Sequence, residues 1–304
     1  MYIFCGRGLA SHRRRPLTSN VRGLQIPPDN PIRYSDIRGT LDAINASISD
    51  FAVSFLKRGP QSTGLLAGSG TLVAAGKCHA ILTADHVLAG LPDSGDIALI
   101  LPSRLGPRTT QFILSMNHVH KITLGKASRT PEGPDLGLIA LASNDVARLA
   151  PTKSFYNLSK RADRMLSSPP QLEPGAWLLC GAPEEWEAMV PASNGQPQSK
   201  VFRGTAGAGK VREGVSDAAF DYLEFEARYD DDYEGPQSFE GFSGGGLWQA
   251  ELTERNGSIE VGELLLSGVA FFQSELANKV RTIYCHGRRS VYKNAAETLA
   301  ARAP

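Results

Sequence analysis

Ala80-Ile81-Leu82-Thr83-Ala84-Asp85-His86-Val87 reads as an apolar strand that delivers a histidine to the start of a helical turn. A histidine so placed faces a cleft, although one histidine by itself is better explained by a structural role. Around it lie FAVSFLK from Phe51, GSGTLVAA (68–75), CHAILTA (78–84), DIALILP (96–102), QFILSM (111–116), VHKITLG (119–125) and DLGLIAL (135–141). These short apolar or alternating runs, parted by Gly, Pro, Ser and Asn, predict a succession of hairpin strands. The pattern resumes in GAWLLCGAP (175–183), KVFRGTAG (200–207), FDYLEFEAR (220–228), GELLLSGVAFFQ (262–273) and RTIYCH (281–286). Between the two groups, residues 142–174 are more polar and hold Pro151, Pro169, Pro170 and Pro174, which predicts a linker.

Helical patterns are confined to the ends. Ile37, Leu41, Ile44 and Ile48 recur every three to four residues, which predicts a short amphipathic helix over 35–50 with Ser35 as its N-cap. The Ala-rich SVYKNAAETLAARA (290–303) predicts a C-terminal helix. Residues 1–33, with Arg13-Arg14-Arg15 and several prolines, read as a solvated tail.

The chain has 304 residues, 41% of them hydrophobic and 21% charged, enough for a core of ordinary size. Lys+Arg number 32 against 31 Asp+Glu, a net charge of +1, so the electrostatic footprint of a nucleic-acid binder is missing. Gly 31 and Pro 19 suit many turns rather than long helices. No run approaches ~18 apolar residues, so no membrane span is expected. The opening MYIFCGRGLASHRRRP lacks the pattern of a secretory signal. Cys5, Cys78, Cys180 and Cys285 are too widely spaced for a CxxC site, and reduced thiols in a cytoplasmic protein are expected.

The strongest chemical signal is Gly241-Phe242-Ser243-Gly244-Gly245-Gly246. A serine between glycines suits a nucleophile on a tight turn, with free N–H groups to meet a developing oxyanion. An incidental serine in a Gly-rich turn is the plain alternative. A third signal is Asp135, which follows Pro134 and opens an apolar strand. Alone it reads as a turn residue. A serine nucleophile needs a base, and the base needs a carboxylate to orient it. The order His86, Asp135, Ser243 supplies all three.

In these stretches, T-A-D-H-V, D-L-G-L-I-A-L and G-F-S-G-G, the chain resembles the trypsin-like (chymotrypsin-fold) serine peptidases, in a bacterial-type form. Gly68–Val73 resembles the strand before the histidine strand, and Leu266–Ala270 the strand after the nucleophile, so the resemblance spans about residues 51–285. It implies an all-β fold of two antiparallel six-stranded β-barrels with short N-terminal and C-terminal helices. The divisions would be 1–50 for the extension, 51–150 for the first barrel, 151–285 for the second and 286–304 for the terminal helix. It implies His86 as general base, Asp135 as its orienter, Ser243 as nucleophile, and the N–H groups of Gly241 and Ser243 as oxyanion hole. Gln237 would sit near the base of the primary pocket, and Ala270-Phe271-Phe272-Gln273 would line it and pair with substrate. Gln237 offers no charge for a basic side chain. No metal or organic cofactor is required; the expected partner is a protein or peptide substrate, with gating expected from a regulatory protein partner or from the substrate itself.

One position departs from the pattern. Many animal digestive members carry Asp between the oxyanion glycine and the serine, where a cleaved N-terminus pairs with it. Phe242 cannot make that pair, so activation of that kind is not expected here.

Other readings are weaker. Asp96 also opens a strand, but it follows His86 by only ten residues. Asp85 neighbours His86, so its side chain should point elsewhere. G-x-S-x-G also marks α/β-hydrolases, but Ser243 lacks the preceding strand and following helix, and His286 is the one histidine after it. Gly204–Val211 is nearly a P-loop, with Val211 where Ser or Thr should hold Mg²⁺, and reads as a Gly-rich hairpin loop. His118 and His120 have no third ligand. Asp230-Asp231-Asp232 reads as a solvated acidic loop. A catalytically silent peptidase-like binding module is the alternative function.

Overall fold

The computed structural model describes residues 34–58, 64–102, 110–172, 176–186, 188–190, 199–201, 205–229, 235–255 and 258–302. The expected tail at 1–33 and the acidic run at 230–232 lie outside them. The fold is mostly β, with two large sheets and few helices. Among the described residues no helix is long and apolar enough to cross a membrane.

The first sheet contains β1 (Ala52–Arg58), β2 (Gly64–Ala75), β3 (Cys78–Thr83), β4 (Asp96–Leu101), β5 (Thr110–Ser115), β6 (His120–Gly125) and β7 (Leu136–Ala140). They run in the order β5-β4-β1-β2-β3-β7-β6, and a two-residue strand β8 (Tyr156–Asn157) joins β2 in parallel. This corrects the expected six-stranded barrel. The sheet has eight strands, and no pairing between β5 and β6 closes it among the described residues. A single 3₁₀ turn, Met116–His118, bends the chain between those two strands, so they part instead of forming a hairpin.

The second sheet is built from β9 (Ala176–Gly181), β12 (Thr205–Glu213), β13 (Tyr222–Arg228), β14 (Gly246–Arg255), β15 (Ser258–Gln273) and β16 (Val280–His286). Their pairings return to the start, β12-β13-β16-β15-β14-β9, as a closed ring. A separate antiparallel pair, β10 (Ala188–Val190) and β11 (Ser199–Val201), falls between β9 and β12 in sequence. Of the P-loop-like glycines, Gly207 and Gly209 belong to β12, a continuous strand and not the expected loop, and Gly204 lies outside the described residues. A Cβ at Gly209 would lie 2.5 Å from the Phe225 ring and the Glu226 carbonyl, so glycine there admits the neighbouring strand.

Side chains alternate along a strand, and the second sheet uses both faces. On β9, Trp177 and Leu179 point into the ring with Phe225, Leu247 and Ile283. Leu178 and Cys180 point out, into a core shared with Leu72, Ile81, Trp248 and Leu266. The ring is thereby apolar outside as well as inside where it meets the first sheet.

The segment expected as a linker is structured. It holds α3 (Ser143–Leu149), β8 and α4 (Ala162–Ser167), and buries Leu149, Tyr156, Leu158 and Met165. These four are too far apart between the prolines to make a period visible in the sequence. The N-terminal helix α1 spans Tyr34–Ser49 and buries Leu41, Ile44 and Ile48 in the shared core. Ser35 lies within it, not ahead of it. At the other end, a π-helical turn Ser290–Ala295 runs into α5 (Ala296–Ala300), which packs on β2 and β3.

Candidate active site

The site begins with pairing register. β3 and β7 are antiparallel, with Thr83 opposite Gly137. Residues just past the end of β3 therefore meet residues just ahead of β7. That brings the first turn of α2 (Asp85–Gly90) against Asp135. The Asp135 carboxylate takes hold of His86 twice. Oδ1 accepts the His86 backbone N–H at 2.9 Å, and Oδ2 lies 2.5 Å from Nδ1. Two contacts to one residue fix both the position and the ring direction of the imidazole. The Asp135 side chain is 3% exposed and that of His86 33%, so the acid is withdrawn and the ring reaches the cleft.

Asp85 points away, as expected. Its buried carboxylate accepts from the Thr123 hydroxyl at 2.6 Å and the Ala127 amide at 2.9 Å, anchoring the chain that leads to Asp135. Asp96 opens β4 exposed to solvent. His118 and His120 are exposed, and no metal-binding cluster exists among the described residues.

The nucleophile turn is held from both sheets. The Ser243 carbonyl accepts the Ser69 amide of β2 at 2.8 Å, and the Gly244 amide donates to the Ala270 carbonyl of β15 at 2.7 Å. Gly241 and Gly244 have φ of 90° and 87°, the left-handed side that favours glycine. The Gly241 and Ser243 amides have no protein hydrogen-bond partner among the described residues. Unpaired N–H groups beside a cleft are free to bind an oxygen from outside. Phe242 is fully buried inside the ring, with its ring centre 4.9 Å from that of Phe239.

A cleft of about 440 Å³ brings most of the expected residues together. His86, Asp135, Gly241, Ser243 and the stretch Ala270-Phe271-Phe272-Gln273 all line it. Gln237 does not. It is exposed, its amide donates to Glu185 Oε1 and its carbonyl accepts from the Tyr229 hydroxyl. The Ser243 hydroxyl makes no hydrogen bond to His86 or to any other described residue. Such contacts are often long before substrate binds.

His286 is the residue that sequence reading missed. It is completely buried at the end of β16, and its Nε2 accepts the Asp135 amide at 3.0 Å. An amide can only donate, so Nε2 carries the lone pair and the ring proton sits on Nδ1. The rings of Phe220, Tyr222 and Phe271 surround it, with centres 5.3, 5.2 and 4.8 Å away. Burial among them pushes its pKa down to about 4, against the pull of Asp135 and Asp221. No local motif announces it, because its partner is 151 residues away.

No family model matches the chain, and no curated protein matches it. Many solved structures overlap it, among them two at low identity. One, described as "Structure of GrC", is 13% identical over 81% of this chain and 92% of its own, with a TM-score of 0.41. The other, described as "Aromatic interactions drive the coupled folding and binding of the intrinsically disordered Sesbania mosaic virus VPg protein", is 13% identical over 81% of this chain and 90% of its own, also at 0.41. Overlap of that extent identifies neither as a relative.

Proposed function

We propose that this chain is a serine endopeptidase of chymotrypsin-like fold, acting through an acyl-enzyme. The observation that carries this reading is the double grip of Asp135 on His86, in the cleft that Ser243 also lines. In this reading His86 Nε2 takes the Ser243 hydroxyl proton as Oγ attacks the peptide carbonyl. The electron pair of the C=O bond moves onto oxygen, where the free Gly241 and Ser243 amides meet it. Nδ1–H, donated to Asp135 Oδ2, keeps Nε2 available as the base and the carboxylate stabilises the imidazolium. Collapse breaks the C–N bond, His86 returns its proton to the leaving amine, and water repeats the sequence to free the acid. Phe242, buried where a charged residue would need a partner, supports a nucleophile turn ordered without cleavage of the chain.

A silent binding module remains the second reading, favoured by the missing bond between Ser243 and His86. A fluorophosphonate probe decides between them. The active protein forms a Ser243 Oγ–P bond and expels fluoride, and Ser243→Ala takes up none. Folded wild-type protein that stays unlabelled removes the peptidase reading.

A further inference from the structure

We infer that Glu185 is a positioning residue that keeps the Gly241 amide aimed into the cleft; the inference rests on the peptidase reading above. The direction of that N–H is set by the peptide joining Glu240 to Gly241. In a trans peptide the C=O and N–H point opposite ways, so whatever holds one aims the other. The Glu240 carbonyl is held by the Glu184 amide at 2.9 Å. The Gly241 amide is thereby turned away from that turn and is left without a protein partner.

Glu184 belongs to a 3₁₀ turn, Glu184–Trp186, that is short and solvent-facing and has little burial to fix it. Its anchor is the next residue. The Glu185 carboxylate accepts two successive amides of the segment leading to the nucleophile, Gln237 N–H at 2.6 Å and Ser238 N–H at 3.1 Å. Hydrogen bonds to an ionised acceptor are the stronger kind. The two chain segments are thus joined at both ends: side chain to backbone at 237–238, backbone to backbone at 240. The flanking carbonyl is fixed separately, since Ser69 Oγ donates to Gly241 O at 2.7 Å and accepts the Ala182 amide at 3.1 Å. Fit is close along this seam, and a Cβ at Gly241 would collide with the Ala182 carbonyl. Phe242 carries no charge with which to do this work.

The test is fluorophosphonate inactivation of wild type, Glu185→Ala and Glu185→Gln, with the maximal rate separated from probe affinity. Loss of the carboxylate should slow the maximal rate roughly 10- to 100-fold, because a misaimed oxyanion donor acts on the transition state. Probe affinity and the melting temperature should stay near wild type, since Glu185 is exposed. Glu185→Gln keeps one acceptor oxygen and should recover part of the rate. Equal labelling rates in all three overturn the inference alone, as does a rate loss matched by an equal loss of affinity and melting temperature. Wild type that takes up no probe overturns the underlying peptidase reading, and this inference with it.

Discussion

Acid should destabilise this fold through His286. The buried imidazole has a pKa near 4, against 6.5 for the same group in solvent. Its folded value is therefore the lower one. Between the two, the unfolded chain binds a proton that the folded chain refuses, so stability is complete above about pH 6.5 and is lost as pH falls toward 4. At about 1.4 kcal/mol for each pH unit of that gap, the total is about 3 kcal/mol. Protonation also sets an N–H against the Asp135 amide, two donors facing each other. The comparison protein is His286→Phe, which fits among Phe220, Tyr222 and Phe271 but cannot accept that amide. Leaving the amide unpaired costs about 1–3 kcal/mol at neutral pH. The variant should then be less stable than wild type at pH 7.5, yet lose far less between pH 6.5 and 4.5. Urea unfolding followed by the emission of Trp177 and Trp248, both buried, gives the two numbers at each pH. If the variant and wild type lose the same free energy over that interval, His286 is not the group that titrates.

Two further outcomes concern the nucleophile turn. Phe242→Ala empties the space inside the ring beside Phe239 and Gly181, and should cost about 3–5 kcal/mol by thermal or urea unfolding; Phe242→Asp, which places an unpaired carboxylate there, should cost more. Gly244→Ala drives a methyl group into the Ser69 carbonyl and the Thr83 hydroxyl at a φ of 87°, so labelling by the probe should vanish even where the protein stays folded. A Gly244→Ala protein that labels normally would show that the turn is far looser than its contacts imply.

Much of the candidate site was legible because its chemistry is local. A serine between glycines and a histidine at a strand end each need only their immediate neighbours to be noticed, whereas the β3–β7 pairing that joins His86 to Asp135 is seen only in the fold. What could not be read depends on distant partners. His286 sits on a strand like any other until its partner across the fold is known, and Glu185 is an ordinary exposed acid until its two amides are found. The first sheet exceeds the expected six strands for two reasons: the seven runs before residue 142 are all strands, and β8, two residues long, has no pattern of its own. β14 was overlooked as well. It starts at Gly246, directly after the glycines that serve the turn, and those residues read as loop.

The bond between Asp135 and His286 has a consequence for the time course of synthesis. Proteins made from the N-terminus fold their early parts first. Asp135 and His86 emerge well before His286, which lies on the last strand of the ring. Until that strand is in place, the Asp135 amide lacks its acceptor and the acid is held from one side only. The acid's support thus arrives after Ser243 as well, so the candidate triad is held from every side only once the last strand of the ring has paired.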